Sequence, residues 1–409
     1  MILILSIIIF LISVIQILFN VFPAIERRGL IDFGVYWQAL TRFLAGQNPY
    51  AGQGIPFNYP PSALLVLLPF KLFSRLQAEY LLTVLSFFSL WITLWITVKL
   101  SKIKISTTHF FLILAFFTQT FPVKFTLILG QINLIVLGLA YTTLYYCLAN
   151  KGQAGGERRG APTSRTYKLV SEAGAGARQA PPLITWAKNM ASSFIMVLAS
   201  SLKLFPLLTL PLFFITKNYF FTLTTIVIFV FLNLLPGPAL AQKYYLQILP
   251  NISKSISYPA FYDQSILAFL LRLGLASPTA KIGAFLILAG LFILILYKFY
   301  NSYNRYNYYL LGFSLIFALI SIAGLFSWQH HLVFSYPLIL LIYLNLWQKK
   351  HRLGIKFYLF PIVVWLVLVF HFLNEHSPLL VNPFLASYQT VLILLLLTVS
   401  LWKKPLFRH

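Results

Sequence analysis

Apolar runs close to the length that crosses a bilayer follow one another from one end of this chain to the other. The first, Ile2 to Phe22, holds no charge and is followed by Glu26, Arg27 and Arg28. It has neither a basic leader nor a small-residue cleavage site, so it reads as an uncleaved helix and not a signal peptide. Further segments cover 79–98, 108–122, 126–148, 189–202, 204–216, 219–235, 280–299, 306–325, 329–347, 357–373 and 385–402. A helix needs about 20 apolar residues to cross the hydrocarbon. Two stretches, 61–73 and 263–275, are shorter and suit helices that lie at the interface or dip partway in.

Composition agrees with the pattern. Of 409 residues, 59% are hydrophobic and 9% are charged, against about 25% charged in an ordinary soluble domain. The expected fold is all-α: a polytopic integral membrane protein with about 10–12 transmembrane helices and a helical first external loop. The net charge of +24 is then no sign of nucleic-acid binding, because Lys and Arg collect at the cytoplasmic ends of membrane helices. A single cysteine, Cys147, excludes an intrachain disulfide framework and a cysteine-built metal site.

Basic clusters give an orientation. Lys99, Lys102 and Lys104 form one, Lys349, Lys350, Arg352 and Lys356 another, and Lys403, Lys404 and Arg408 close the chain. With these on the cytoplasmic side, both termini are cytoplasmic, and Glu26, Asp32, Glu79, Asp263 and Glu375 fall outside. The stretch 150–182, rich in Gly, Ala and Arg, cannot bury a core and reads as a disordered basic cytoplasmic insertion. The whole chain, 1–409, reads as one transmembrane domain, with 23–78 as an external loop carrying interfacial helices.

The polar residues that remain sit at the outer helix ends. In the first external loop, Phe33, Tyr36, Trp37, Leu40, Phe43 and Leu44 share one face of an amphipathic surface helix. Asp32, at its start, has two readings: a helix cap, or a general base at the mouth of a cavity. Tyr59 precedes Pro60-Pro61, which opens the next helix. Gly130, Gln131 and Asn133 interrupt an apolar run. Lys203 lies between two short apolar pieces, in a broken hairpin near its outer turn. A lysine in the bilayer costs about 2.5–3.5 kcal/mol, so it needs water, an acid such as Asp263, or a bound anion. Asp263 and Gln264 open a short apolar segment, where Asp263 has the same two readings, cap or base. Trp328, Gln329, His330 and His331 open another. Adjacent histidines point about 100° apart on a helix, which is poor geometry for chelating one ion, and no metal site is expected.

Taken in order, DFGVYWQAL, AGQNPY, FNYPPSALLVLLPF, LGQINL, SLKLFPLL, DQSILAFLLR and SWQHHLVFSYP resemble glycosyltransferase family 87. These are the polyprenyl-phosphate-mannose-dependent mannosyltransferases of the GT-C membrane superfamily. The resemblance runs from about residue 30 to 340, and the 150–182 stretch has no counterpart in it. It implies that Asp32 is the catalytic base and that Lys203 and a histidine of the SWQHH segment, His330 or His331, hold the donor phosphate. Tyr36, Tyr59, Gln131, Asn133, Asp263, Gln264, Trp328 and Gln329 would line the substrate cavity.

The expected function is transfer of a hexose, mannose by default, from a polyprenyl-phosphate-sugar to a lipid or glycan acceptor. The reaction would invert the anomeric centre, use no cofactor, and run on the extracytoplasmic face of the plasma membrane. A multi-pass transporter or flippase is the alternative, since transporters also place rare charges at broken helices. Against it, these polar groups gather at the outer face and not at the midplane. A non-catalytic envelope assembly protein is a third reading, in which Asp32 would be dispensable.

Overall fold

The computed structural model describes residues 1–52, 55–155, 182–252, 263–301, 306–324, 327–369 and 382–402. Its elements are helices; among the described residues the only extended pairing is one isolated antiparallel bridge between Asp263 and Trp328. The first ten helices are α1 (Ile2–Arg28), α2 (Ile31–Leu44), α3 (Pro61–Leu67), α4 (Arg75–Ser101), α5 (Thr107–Thr118), α6 (Phe121–Leu129), α7 (Asn133–Gly155), α8 (Pro182–Leu202), α9 (Leu210–Ile215) and α10 (Tyr219–Leu234).

Four described helices are long and apolar enough to cross a membrane alone: α1, α4, Ser277–Tyr300 and the run Gln329–Gln348. Two bent pairs raise the number to six: α5 with α6, at 59°, and α10 with Pro238–Ile252, at 104°. Shorter apolar helices, among them Tyr308–Ala323, Phe357–Val369 and Tyr388–Trp402, accompany them. The chain is a polytopic all-α membrane protein.

Burial is inverted relative to a soluble bundle. Ser277–Tyr300 exposes Ile282, Phe285, Leu286 and Ile293, and α10 exposes Leu223, Val227, Val230 and Phe231. Meanwhile α4 buries Glu79, Thr83, Ser86, Thr93 and Thr97. Its hydroxyls fold back on the helix, as in Thr97 Oγ1 donating to the Thr93 carbonyl at 2.8 Å. Small residues then allow close helix approach. A Cβ on Gly138 of α7 would lie 2.8 Å from the Ser89 Cβ of α4.

The helix breaks differ from the hydropathy pattern in instructive ways. The run expected over 108–122 stops at Thr118, and α6 restarts at Phe121 with Pro122 in its first turn. Proline fits there because that N–H has no helical partner. The run expected over 126–148 is split by Gly130, which ends α6 at φ 74. Gly130, Gln131 and Asn133 mark this second break in the sequence, whereas the first lies inside a run that is apolar on both sides. The stretch 150–182 is helical at both ends, since α7 continues to Gly155 and α8 begins at Pro182; 156–181 lie outside the described residues. With 21 residues, α8 is also longer than the piece expected before Lys203. Only the far side of that break is short: a 3-10 turn, Phe205–Thr209, and then α9.

Candidate active site

The site grows from the close approach of α2 to the α6–α7 break. Leu30, Phe33, Tyr36 and Leu40 are buried, so the expected aromatic face of α2 does pack inward. Gly130 lies against its first turn, where a Cβ would stand 2.6 Å from the Leu30 Cβ and 3.0 Å from the Phe33 Cβ. Glycine here therefore serves both the left-handed backbone and the contact. The next residue, Gln131, donates from Nε2 to Asp32 Oδ2 at 2.6 Å. Asp32 is not a cap. The cap position is Leu30, with no side-chain bond to the helix, and the half-buried carboxylate reaches across to Gln131. Burial pushes the Asp32 carboxyl above its ordinary range, and the Gln131 hydrogen bond and the Lys203 charge pull it partly back.

Lys203 follows the last turn of α8, where the chain breaks before Pro206. Its Nζ donates to His331 Nε2 at 3.3 Å. The acid whose charge reaches it is Asp32, and not the expected Asp263. An ammonium can only donate, so the neutral His331 ring carries its proton on Nδ1. That nitrogen is buried and has no hydrogen-bond partner among the described residues.

The SWQHH segment forms a 3-10 turn, Gln329–Ser335, which brings the two histidine rings to 4.4 Å between centroids. Asn133 Nδ2 and Thr126 Oγ1 donate to the His330 carbonyl at 3.2 and 3.3 Å, pinning the turn to α6 and α7. Phe125 and Trp328 flank the His330 ring at 5.5 and 5.7 Å. Several buried polar atoms here also lack partners among the described residues: Gln131 Oε1, Asn133 Oδ1, both amide atoms of Gln329, and His330 Nδ1. Leaving a buried polar atom unpaired costs about 1–3 kcal/mol, so such a cluster marks a place where a polar ligand belongs. Tyr36 and Tyr59 join hydroxyl to hydroxyl at 2.8 Å beside Asp32.

Asp263 and Gln264 are used differently. Asp263 Oδ1 accepts from the Ser265 and Ser327 backbone N–H groups at 2.9 and 3.0 Å. The cap of the following helix, Ile266–Arg272, is Ser265 and not Asp263. Gln264 donates to the Ala386 carbonyl at 3.0 Å and takes the Thr390 hydroxyl on its own carbonyl at 2.7 Å. These two residues fasten the segment before Trp328 to the C-terminal helices.

One supporting feature escaped the sequence reading. Arg75 Nε and Glu79 Oε1 pair at 3.0 Å on α4, with Glu79 buried. The Arg75 guanidinium passes under the start of α2, where Cβ atoms on Gly29 and Gly34 would lie 2.7 and 3.1 Å away. The spacing of four between opposite charges was the available signal.

A cluster of buried polar groups at one end of an inverted helical bundle, with one acid facing a lysine and histidines, suits an enzyme that handles an anionic substrate. The family model of glycosyltransferase family 87 matches residues 57–335, more than half of the chain, and the chain belongs to that family. It is a membrane glycosyltransferase. No curated protein and no solved structure matches it. The matched span includes Tyr59, Gln131, Asn133, Lys203, Asp263, Gln264 and Trp328 to His331, but begins after Asp32 and Tyr36.

Proposed function

We propose that this protein transfers a hexose, mannose in the first instance, from a polyprenyl-phosphate-sugar to a lipid or glycan acceptor on the extracytoplasmic face of the plasma membrane. Nucleotide sugars are confined to the cytoplasm, so an outward-facing transferase draws on a lipid-linked sugar phosphate. In the proposed step an acceptor hydroxyl attacks the anomeric carbon while Asp32 takes its proton. The bond from that carbon to the phosphate oxygen breaks, and polyprenyl phosphate leaves with the electron pair. In-line attack inverts the centre, so a beta-linked donor gives an alpha product.

The observation that carries this reading is the facing arrangement of Asp32 and the Lys203–His331 pair. Asp32 is held by a single amide, with the second carboxylate oxygen left for the acceptor. Burial raises its proton affinity, which makes its carboxylate a stronger base than that of a surface aspartate. Lys203 and the His331 Nδ1–H supply the positive charge and the donor that a leaving phosphate needs. His330, Gln329, Asn133 and Trp328 line the same cleft. The basic clusters support cytoplasmic termini, and the chain is then a single GT-C-like domain, 1–409, with 23–78 outside and 150–182 inside.

The test is to incubate membranes containing the protein with labelled polyprenyl-phosphate-mannose and a panel of lipid acceptors. Label should move to an acceptor with the wild type and not with Asp32→Asn. Equal transfer by both would remove Asp32 from the chemistry.

A further inference from the structure

Three apolar helices converge at the end of the bundle away from the candidate site: Ser277–Tyr300, Tyr306–Ala323 and Tyr388–Trp402. The first starts just after Ile266–Arg272, the short helix that follows Asp263. It has 24 residues, so its last turn lies about 36 Å from its first. The second helix runs back from there towards Trp328. The third starts beside Gln264, whose carbonyl oxygens accept from the Gln389 N–H and the Thr390 hydroxyl, and it ends at Trp402. Between the far ends of these helices lies a groove with about 330 Å³ of empty space, whose lining includes Lys298, Phe299, Tyr308, Leu311, Leu315 and Ser400. That volume is at the lower end of the range that holds small molecules, about 300–1,000 Å³.

Three features set this groove apart from a gap between helices. Lys298 is half-buried in the last turn of the first helix and is the one cation in the lining, which contains no acid. The Ser400 side chain is buried, and its Oγ has no hydrogen-bond partner among the described residues. Hydroxyls close by behave otherwise: Thr398 donates to the Leu394 carbonyl at 2.8 Å and Ser314 to the Leu310 carbonyl at 2.7 Å. Ser400 forgoes that local bond, and an unpaired hydroxyl beside an apolar groove marks a place for a polar atom of a ligand. The third feature is the setting. Tyr297 and Tyr300 flank Lys298 in the sequence and Trp402 follows Ser400, and all three are exposed. Exposed tyrosine and tryptophan at helix ends are the mark of the headgroup level of a bilayer.

We propose that this groove binds one anionic phospholipid: an acyl chain lies along Phe299, Leu311 and Leu315, the Lys298 ammonium pairs with the phosphate, and the Ser400 hydroxyl donates to an ester carbonyl. Basic pockets between membrane helices take such headgroups, and a charge-assisted bond to phosphate is the strong contact they offer. The apolar lining suits a hydrocarbon chain, and a free phosphate would leave it uncovered. A zwitterionic lipid brings its own cation, which the Lys298 charge opposes. On the orientation proposed above, the bound lipid belongs to the cytoplasmic leaflet. The inference goes beyond the transferase reading and does not depend on it.

The test uses the full chain in a neutral detergent, with phosphatidylglycerol and phosphatidylcholine as probes and native mass spectrometry to count bound lipid. The wild type should hold one phosphatidylglycerol, about tenfold more tightly than phosphatidylcholine. Lys298→Met should raise the phosphatidylglycerol Kd about tenfold, and Ser400→Ala, which removes only the hydroxyl, about threefold. Lys281→Met removes a charge from the other end of the same helix and should leave that Kd unchanged. Thermal unfolding is the second readout. Phosphatidylglycerol should raise the Tm of the wild type and of Lys281→Met, and raise that of Lys298→Met less. Equal affinity of the wild type for the two lipids, an unchanged Kd in either groove variant, or an equal loss in Lys281→Met overturns the proposal. The last result would mean diffuse attraction of acidic lipid to a basic protein. No sugar donor or acceptor is present, so the outcome is independent of whether polyprenyl-phosphate-mannose is turned over.

Discussion

A half-buried acid, Asp32, and a buried one, Asp263, stand at the same end of the helical bundle, and the protein treats them in opposite ways. Asp263 spends one carboxylate oxygen on two backbone N–H groups, and its neighbour Gln264 is bonded to Ala386, Gln389 and Thr390. Asp32 accepts from one side chain, Gln131, whose own Oε1 has no partner among the described residues, and faces Lys203. Burial raises the proton affinity of both, so that property does not separate them. The difference lies in what the surroundings have left to do. Asp263, tied to two backbone N–H groups, is holding chain segments together, although its Oδ2 is buried without a partner among the described residues; Asp32 accepts from a side chain alone and faces a lysine.

The largest expected effect follows from breaking this contrast at both acids. Asp32→Asn keeps the shape and removes the basic lone pair, so transfer should fall by roughly 10²-fold or more while donor binding persists. Asp263→Asn keeps an oxygen that can accept both backbone N–H groups, so turnover should stay within a few-fold of wild type. Asp263→Ala leaves those two N–H groups unpaired, at about 1–3 kcal/mol each. It should lower the thermal unfolding temperature where Asp32→Asn does not. Transfer assays and unfolding scans on the four proteins decide the matter. If Asp263→Asn is the inactive one, the roles are reversed.

Lys203→Met comes next. The lysine donates to His331 and faces Asp32, the acid whose charge reaches it. Its removal should weaken donor binding, raising the donor KM on the order of tenfold, the scale of one charge-assisted hydrogen bond. Expression and insertion should be unaffected or improved, since a charge leaves the membrane region. An unchanged donor KM would mean that Lys203 serves only to hold His331.

How much of this was legible in the sequence can be judged from the same residues. Asp32, Lys203, His330 and His331 stood out because charged and imidazole groups are scarce in an apolar chain, and the structure gathers them at one end. Their pairing was not legible. Lys203 was as close to Asp263 as to Asp32 on any sequence argument, and only the packing of α2 on Gly130 decides for Asp32. The capping readings of Asp32 and Asp263 were reasonable from propensity, yet tertiary contacts claimed both side chains. Helix breaks were half visible: Gly130 and Pro206 announced themselves, while the 59° bend between α5 and α6 is hidden inside a uniformly apolar run. Lys298 and Ser400 could not be foreseen as lining one groove, because they belong to different apolar helices far apart in the sequence.

A smaller and more diagnostic effect concerns pH. The rate at low substrate should rise as Asp32 loses its proton, so the midpoint of the acid limb reports its pKa. Burial raises that value, while Gln131 and, to a lesser degree, Lys203 lower it by favouring the carboxylate. Removing either influence must therefore move the midpoint to higher pH. Gln131→Leu should shift the acid limb upward, since it removes a hydrogen bond to the carboxylate. Lys203→Met should shift it in the same direction by less. The check is kcat/KM against pH for the three proteins. A downward shift in either variant would show that the titrating group is not Asp32.

The smallest effect is expected at the far ends of α7 and α8, where the comparison predicts indifference. The segment between Gly155 and Pro182 connects α7 to α8 in sequence, and residues of the candidate site lie at the other ends of these helices: Gln131 and Asn133 before and at the start of α7, Lys203 after α8. A helix of 21 residues spans about 30 Å, so Pro182 stands about that far along α8 from Lys203. Its composition, rich in Gly, Ala and Arg, offers no apolar face for packing. Replacing residues 156–181 with a short Gly-Ser linker should therefore leave kcat and both KM values within twofold of wild type, provided the linker spans the gap between the two helix ends. The measurement is transfer activity normalised to protein in the membrane. Lost transfer with normal accumulation would show that the segment acts on the cleft through α7 or α8, and the separation of the two ends would have to be abandoned.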